Sequence, residues 1–558
     1  MAAVVVSSSL ADRRRARLAS LLPAGAEVRW TGPADPLPGL GGATAVVVDG
    51  PPLDRSAADI DALAQAVRGG AVLLAIGAAT PAGAVPVWDA LLGAAAAGPA
   101  GPAGEYVARV DPEEAGITAR LGPDIAVADR LLPLVADGAA RVLASVGFGA
   151  VAAVVEVARG AGWVVATGLG TTDAALDAAD LVTLFRRALR PRPTRPPRPS
   201  TLAVVGYGPY GGMGRYHGSA AEATPGLAFV ATCDHSDERR KAAEHDFPGV
   251  RAYADPGELA ADDEVDVVVV ATPPVLHADL VLTMLRAGKH VVCEKPLCLT
   301  VADADRLLAA AAAAGRTLTV HQNRRFDADF LAVRAAVESG RLGEVFNVET
   351  FVGDFAHPCR AWHSELAVSG GVVYDWGSHH LDWVLELLGG TPATVQAHGH
   401  KRLWHDVSNL DQVRVRLLWD DGREAEFFQS DLAAVRRPKF FVQGTAGTLV
   451  GHYRTVTVER VEPPFGYRAE TAHHAEAPAD LLLADYQAGS GITETRPALP
   501  RVAPFPFHRN LADHLQLGEP AAVTADSARR LVSVLEAAQR STDGGNAPVH
   551  LIPGPTGD

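Results

Sequence analysis

A glycine loop in the middle of the chain limits its possible folds more than any other feature. The loop, Gly206-Tyr-Gly208-Pro-Tyr-Gly211, follows an apolar run over 201–205 and precedes a helical pattern over 213–223. The first glycine permits a tight turn, and the second lets the backbone approach a pyrophosphate at the helix N-terminus. A GxGxxG pattern alone is weak, but its place between a strand and a helix strengthens it. The segment 201–323 is therefore predicted to be a Rossmann dinucleotide-binding domain, with Gly206 and Gly208 contacting the cofactor.

The loop holds more glycines than the pattern requires, and a carboxylate follows at the expected distance. Because the loop continues to Gly214, either Gly211 or Gly214 is the third glycine, and both are candidate cofactor contacts. Asp234 follows the next apolar run, 20 residues after Gly214. A carboxylate there accepts hydrogen bonds from a ribose 2′-hydroxyl and repels a 2′-phosphate. No lysine or arginine follows before Arg239, so the sequence favours NAD over NADP.

The pattern changes after residue 323. Up to that point, strands and helices alternate as in βα units around a parallel sheet. Residues 324–558 combine helical patterns with period-two runs such as 412–418, which predict a second α/β domain with a large, mostly antiparallel sheet. Predicted helices cover 327–339, 372–388 and 527–541, and the Pro-, Gly- and Ala-rich stretch 462–506 is predicted to be a long loop or an insertion.

A proline- and arginine-rich stretch, 190–200, is predicted to be an extended linker, because proline fixes φ and removes a backbone donor. It separates a first domain, 1–189, from the rest of the chain. That domain alternates short β-branched runs with helical patterns, which predicts an open α/β sheet. Its predicted strands include 4–6, 45–48, 71–75 and 162–168, with a helix over 56–67.

Composition excludes several functions. The net charge of −15 argues against nucleic acid or an anionic membrane surface as a partner. The four cysteines form no CxxC pair, and no secretory signal or membrane span is visible, so a cytoplasmic location is expected. The pairs His379-His380 and His473-His474 lack an accompanying ligand set, and no metal site is predicted.

Five stretches resemble the Gfo/Idh/MocA oxidoreductases, the relatives of glucose–fructose oxidoreductase and inositol dehydrogenase. They occur in that family's order: 206–217, 271–277, Glu294-Lys-Pro296, Asn323-Arg-Arg-Phe326, and the segment 370–382 with its Asp-x-Gly-x-His motif. The resemblance implies a Rossmann domain followed by an α/β domain whose large sheet commonly forms a dimer or tetramer interface. It also implies a sugar, a cyclitol or a keto form of either as substrate.

The resemblance assigns roles to several residues. It places Lys295 at the substrate hydroxyl and the nicotinamide ribose, often with a cis bond before Pro296, and it matches Asp375 and His379 to the catalytic pair. The residue types agree: histidine suits proton transfer, lysine stabilises a developing alkoxide, and Asp375 lies one helical turn before His379. Further candidates are Thr272, Pro273, His277 and Glu294 at the cofactor, and Arg325 and Trp362 at the substrate.

The first 189 residues resemble ThuA-like domains, which share the class I glutamine amidotransferase fold. An amidotransferase needs a cysteine nucleophile and a histidine base. No cysteine precedes Cys233 and no histidine precedes His217, so this domain is expected to be structural, oligomerising or ligand-covering, with sugar binding still open.

The whole chain is predicted to be an NAD(P)-dependent oxidoreductase that transfers a hydride to or from a polyhydroxylated substrate. Two alternatives stay open. One is a redox-neutral lyase, hydrolase or epimerase that passes through a transient keto intermediate, and the other is a non-catalytic dinucleotide sensor.

Overall fold

The computed structural model describes two compact units, Met1–Arg198 and Pro199–Asp558. Within the described part, no helix is both long and apolar enough to cross a membrane. The described residues are 2–7, 12–22, 26–32, 35, 37, 39–51, 55–111, 117–121, 123–147, 151–190, 198–208, 213–358, 362–462, 466–473, 477–487 and 489–551.

The first unit is built from helices on a mixed sheet. Its strands are β1 (Ala2–Ser7), β2 (Glu27–Thr31), β3 (Ala43–Asp49), β4 (Val72–Ile76), β5 (Ala94–Ala96), β6 (Ala103–Val110), β7 (Asp124–Arg130), β8 (Leu134–Ala136), β9 (Arg141–Val146), β10 (Val151–Arg159) and β11 (Gly162–Thr167). Its helices are α1 (Asp12–Ala19), α2 (Ala57–Arg68), α3 (Pro86–Leu92) and α4 (Ala179–Ala188). Ser56 and Asp59 form a reciprocal capping box that begins α2.

The sheet of the first unit has a parallel half in the order β2-β1-β3-β4-β11, which is the flavodoxin-like strand order. The predicted open α/β sheet is therefore confirmed. The antiparallel continuation β10-β9-β6-β7 was not anticipated. The change of direction occurs between β10 and β11, which are joined by only Gly160 and Ala161, so that Arg159 pairs with Gly162. A connection of two residues permits only an antiparallel pair.

The second unit opens with a six-stranded parallel sheet in the order β14-β13-β12-β15-β16-β17, the Rossmann order. The predicted dinucleotide-binding fold is confirmed. Its strands are β12 (Ser200–Val205), β13 (Leu227–Cys233), β14 (Arg251–Tyr253), β15 (Val267–Val270), β16 (His290–Cys293) and β17 (Leu318–Val320). Its helices are α5 (Met213–Ala223), α6 (Asp237–Asp246), α7 (Pro256–Ala260), α8 (His277–Arg286) and α9 (Val301–Ala314).

The remainder of the chain forms a nine-stranded sheet in the order β27-β26-β23-β22-β18-β21-β20-β19-β28, in which only the β18–β21 pair is parallel. The mostly antiparallel sheet is as predicted. The strands are β18 (Val345–Gly353), β19 (Thr394–His400), β20 (Gln412–Leu418), β21 (Glu424–Ser430), β22 (Phe440–Gly444), β23 (Gly447–His452), β26 (Asp480–Gln487), β27 (Gly491–Thr495) and β28 (Val549–His550), with a separate hairpin of β24 (Thr455–Glu462) and β25 (Gly466–His473). The helices are α10 (Ala328–Glu338), α11 (Leu366–Ser369), α12 (Val372–Asp375), α13 (Gly377–Leu388), α14 (Pro506–Leu517) and α15 (Ala525–Asp543).

Two predictions about this region are wrong. The stretch 462–506 is not a long loop, because it contains β26 and β27, and Leu481 and Leu483 alternate into the core. The helix over 372–388 is interrupted at Trp376. There the carbonyl of Asp375 accepts the Ser378 hydroxyl, at 2.7 Å, while the His379 amide donates to the carbonyl of Trp376. The side-chain hydroxyl competes with the helical hydrogen bond and divides the helix.

The last helices return to the Rossmann domain. Phe507, Leu511 and Ala512 of α14 pack into the same apolar core as β12 and β15. The amphipathic face of α14 therefore completes the Rossmann core, although α14 lies within the predicted second domain, 324–558. This return brings His508 close to the nucleotide-binding half.

Candidate active site

A cavity of about 990 Å³ opens at the carboxyl ends of the Rossmann strands. Ligands of open α/β sheets bind at this edge. Gly206, Gly208 and Asp234 line one part of the cavity, and Lys295 and Asp375 line another. The wall also includes Thr272, Pro273, Glu294, Trp362 and His379.

The glycines of the loop have two kinds of surroundings: open space at the cavity wall and close backbone contacts on the other side. Gly206 has φ +94°, and a Cβ there would lie 2.7 Å from the carbonyl of Ala271. A Cβ on Gly208 would meet only an Arg239 nitrogen, at 3.7 Å, so this backbone is open to a ligand. A Cβ on Gly214 would lie 2.5 Å from the Cα of Tyr207. Gly214 therefore provides the close packing of helix on loop that the pattern requires. Gly211, the other candidate, lies outside the described residues.

Asp234 is positioned by backbone groups and lies beside a histidine and an arginine. Its carboxylate accepts the Ser236 amide at 2.9 Å and the Gly208 amide at 3.3 Å. His235 Nδ1 lies 3.4 Å from one carboxylate oxygen and Arg239 Nη1 lies 3.7 Å from the other. The carboxylate is therefore held at the loop, as a ribose-binding acid would be, but it shares the site with an arginine whose importance was missed in the sequence.

The residues after β15 divide into lining and supporting groups. Thr272 lines the cavity, and its buried hydroxyl has no hydrogen-bond partner among the described residues. This hydroxyl could therefore form a hydrogen bond with a polar ligand in the cavity. His277 was predicted to touch the cofactor, but it is fully buried and does not line the cavity. Its Nδ1 lies 2.7 Å from the Pro296 carbonyl and its Nε2 2.7 Å from the Thr272 carbonyl. His277 therefore positions the two loops instead.

Lys295 and Asp375 form a close ion pair, with 2.6 Å between Nζ and Oδ1. Burial opposes ionisation of the Asp375 carboxyl, but the Lys295 ammonium outweighs it and holds the pKa of Asp375 below its usual range. The peptide bond between Lys295 and Pro296 is cis, as the resemblance implied. A charged lysine is thus held beside an acceptor at the cavity wall.

His379 lines the same cavity, and its Nδ1 has no hydrogen-bond partner within the described chain. Burial lowers the pKa of His379 well below its usual value, and the positive charges of Lys295 and Arg324 lower it further. The ring is therefore neutral near pH 7 and can accept a proton. Asp375 makes no hydrogen bond to His379; its oxygen is bonded to Lys295 instead.

The two arginines of the Asn323-Arg-Arg-Phe326 motif have different environments. Arg325 was predicted to face the substrate, but its guanidinium makes two bonds to Asp382, of 2.7 and 2.6 Å, and it does not line the cavity. Arg324 lines the cavity instead, with its guanidinium 4.9 Å from the Trp376 ring centroid. The sequence offered no signal that separates two adjacent arginines, because their orientation depends on the turn at Asn323–Phe326.

Trp362 lines the cavity as predicted, and its ring stacks on His363 with centroids 3.7 Å apart. His363 also lines the wall, and burial lowers the pKa of its ring, an effect that Asp375 opposes and Lys295 reinforces. A polar pocket flanked by an aromatic ring suits a polyhydroxylated ring, whose CH faces are apolar and whose edges form hydrogen bonds.

A Rossmann glycine loop thus shares one cavity with a lysine, a carboxylate and a neutral histidine. These are the residue types that a nicotinamide-dependent oxidoreductase uses to bind its cofactor and to transfer a proton.

Comparison with known proteins identifies the family. A family model described as an oxidoreductase family with an NAD-binding Rossmann fold matches residues 201–322, and the GFO/IDH/MocA C-terminal domain matches residues 330–450. The chain belongs to the Gfo/Idh/MocA family of oxidoreductases.

Three similar proteins illustrate the relationship. Inositol 2-dehydrogenase of Rhizobium meliloti (strain 1021) is 32% identical over 45% of this chain and 76% of its own length. The scyllo-inositol 2-dehydrogenase (NADP(+)) IolW of Bacillus subtilis (strain 168) is 24% identical over 61% of this chain and 93% of its length. The crystal structure of an NAD-binding protein from Listeria innocua has a TM-score of 0.53 and 27% identity, and the match covers 63% of this chain and 97% of that one. The chain spans only 65% and 54% of the lengths of two other curated relatives.

Proposed function

We propose that the protein is an NAD-dependent dehydrogenase or reductase of a sugar, a cyclitol or a related polyhydroxylated substrate. The observation that carries this proposal is the ion pair of Lys295 and Asp375 beside the neutral ring of His379, in the cavity that the glycine loop lines. Two of the relatives described above are named for inositol oxidation, which supports a cyclitol or a similar ring.

The cavity residues suit a nicotinamide dinucleotide. Gly206 and Gly208 would hold the pyrophosphate, Asp234 the adenosine ribose, and Thr272 with Glu294 the nicotinamide half. When bound, the cofactor supplies the hydride chemistry.

The chain's own residues provide the proton transfer. The ammonium of Lys295 stabilises the alkoxide that develops when the substrate hydroxyl loses its proton. The ring of His379 accepts that proton in oxidation and returns it in reduction. Asp375 holds the ammonium in place, because its carboxylate is 2.6 Å from Nζ. Trp362 and Arg324 contact the parts of the substrate that do not react.

We propose NAD rather than NADP as the preferred cofactor, on the carboxylate of Asp234. A 2′-phosphate beside that carboxylate meets a like charge, and this is unfavourable even with Arg239 3.7 Å away. In Asp234→Ser the repulsion is absent and Arg239 remains, so the ratio of kcat/KM for NAD to kcat/KM for NADP should fall at least about tenfold, or ~1.4 kcal/mol.

The test is a screen of sugars and cyclitols with NAD and NADP in parallel, on wild type and Asp234→Ser, followed by absorbance of the reduced nicotinamide. We expect turnover with at least one cyclitol or sugar and a preference for NAD in wild type. A silent screen in which the cofactor still binds would contradict net hydride transfer and would favour the redox-neutral or sensor function. A preference for NADP in wild type would contradict the assignment of Asp234.

We also propose a homodimer or homotetramer formed through the outer face of the large sheet. Strand positions that point away from the helices carry Leu418, Phe428, Phe441 and Tyr486, none of which is buried within the chain. Apolar side chains on an unpartnered sheet face favour association. A molecular mass of one chain by light scattering at micromolar concentration would contradict this.

The free thiols of Cys233, Cys293 and Cys298 support a cytoplasmic location.

For the first unit we propose a ThuA-like fold and a non-catalytic role. Its flavodoxin-like strand order supports the fold assignment. The absence of any cysteine or histidine before residue 217 excludes an amidotransferase mechanism.

A further inference from the structure

Three buried histidines meet beside the cofactor cavity, although they are distant in sequence, and one of them, His321, lines the cavity wall. His217 comes from α5, His321 follows β17, and His508 comes from α14; each is at most 1% exposed. One ring nitrogen from each lies within 4.8 Å of the others. The pairs of adjacent histidines considered in the sequence do not include any of them. Only folding, and the return of α14 to the Rossmann core, brings them together.

Glu294 fixes the orientation of two of these rings. Its Oε1 lies 2.9 Å from His217 Nε2 and 2.8 Å from His321 Nδ1. An oxygen that accepts a hydrogen bond from both rings leaves the proton of each ring on the nitrogen that faces it. A neutral imidazole has a single N–H, so His217 Nδ1 and His321 Nε2 then carry lone pairs.

One of these two nitrogens has a partner within the cluster, and the other has none. His217 Nδ1 lies 2.9 Å from His508 Nε2. His321 Nε2 is buried and has no hydrogen-bond partner among the residues that the structure describes. Burying a ring nitrogen without a partner is unfavourable. A carboxylate that accepts the second N–H of a histidine is also the usual companion of a metal-bound imidazole, because it fixes the tautomer and raises the basicity of the ligand.

We propose that His217, His321 and His508 bind one divalent transition-metal ion, with Zn²⁺ as the resident metal and Glu294 as the carboxylate that orients two of the ligands. The ligand nitrogens are His217 Nδ1, His321 Nε2 and His508 Nε2, and when the metal binds, the proton between His217 and His508 moves to His508 Nδ1. Three imidazoles favour Zn²⁺ and Co²⁺ over Mg²⁺ and Ca²⁺, which prefer oxygen.

The ring nitrogens need only small shifts to form this site. Nitrogens about 2.0–2.1 Å from a tetrahedral Zn²⁺ lie roughly 3.4 Å apart, whereas His217 Nδ1 and His508 Nε2 are 2.9 Å apart and one nitrogen of each ring lies within 4.8 Å of the others. Rotation of the imidazole rings would supply these shifts. Because the ligands come from α5, α14 and the end of β17, the metal would join the C-terminal helix to the Rossmann core. Its expected effect is on stability, and hydride transfer does not require it.

The test uses the full-length protein, stripped of metal with a chelator and titrated with Co²⁺, whose visible absorption reports tetrahedral nitrogen ligands. We expect one equivalent to bind and a higher melting temperature with one equivalent of Zn²⁺. His321→Gln and His508→Gln each remove one ligand and should weaken binding at least tenfold. Glu294→Gln should weaken it by about 10–100-fold, as expected for a carboxylate that orients ligands. His514→Gln is the matched control, because His514 is on α14 but bonds to Thr317 and Glu519.

Two results would overturn the proposal. One is the absence of stoichiometric Co²⁺ and Zn²⁺ binding to the stripped wild-type protein, which does not depend on any variant. The other is an unchanged Co²⁺ spectrum and affinity in folded His321→Gln and His508→Gln, with folding checked by circular dichroism and by gel filtration. Neither result bears on the hydride-transfer function, because both measurements are made without turnover.

Discussion

Lys295→Met should lower kcat/KM about 100- to 1000-fold, or ~3–4 kcal/mol, the usual effect of removing one group that stabilises a developing oxyanion. Methionine keeps most of the apolar stem but has no charge. The loss removes the ammonium 2.6 Å from Asp375 and leaves that half-buried carboxylate without its cation. The pKa of Asp375 should then rise, because the attraction that lowers it is gone. Steady-state kinetics with the substrate found in the screen measure the effect.

The matched control is Lys241→Met, which makes the same chemical change on an exposed helix surface, where Lys241 pairs with Asp237. Its kcat/KM should stay within about twofold of wild type, because exposed ion pairs contribute little. Lys295→Arg should not restore activity, since a planar guanidinium does not replace a compact ammonium. If Lys295→Met kept more than half of the wild-type kcat/KM, the assigned role of this residue would be wrong.

The sequence predicted those parts of the site that depend on local chain geometry. Gly206 and Gly208 lie between a strand and a helix, and Asp234 lies where the next strand ends, so their positions follow from the order of the elements. Lys295 also follows directly from a buried strand. Asp375 and His379 are four residues apart, about one helical turn, and they stay close even though the helix is interrupted at Trp376.

Contacts between distant segments could not be predicted in this way. Adjacent arginines differ only in orientation, and the bonds of Arg325 to Asp382 decide which one faces the cavity. His277 looked like a cofactor ligand from its motif, but its ring bonds to carbonyls of two loops. The cluster of His217, His321 and His508 depends on α14, whose return to the Rossmann core has no local signal.

The fold shows the same limit. Parallel strands with fully apolar runs, such as β15, are recognisable because both faces are buried. Strand β26 was missed because a Pro-, Gly- and Ala-rich composition concealed the alternation of Leu481 and Leu483. In the first unit, where parallel strands were expected, β10 and β11 form an antiparallel hairpin, because only two residues connect them. Composition over a long window is a weaker guide than short-range periodicity.

His379→Asn should lower kcat for alcohol oxidation about 100- to 10,000-fold, the usual contribution of a general base. A base must be unprotonated, and burial with the charges of Lys295 and Arg324 lowers the pKa of His379 well below 6.5. In wild type, kcat/KM for oxidation should therefore stay level across neutral pH and fall only as the pH drops below 6.5 and the ring gains a proton. The pH dependence of kcat/KM, measured from pH 5 to pH 9, checks this.

Arg324→Gln tests whether the charge of Arg324 lowers the pKa of His379. Removing this cation removes one cause of the lowered pKa, so the pKa of His379 should rise and the acidic fall in kcat/KM should move to higher pH. His379→Asn should lose this fall altogether, whereas His380→Asn should keep it, because His380 is buried beside Trp383 and does not line the cavity. If the fall persisted in His379→Asn, another group would be the base, and His363, which also lines the cavity beside Lys295 and Asp375, would be the next residue to replace.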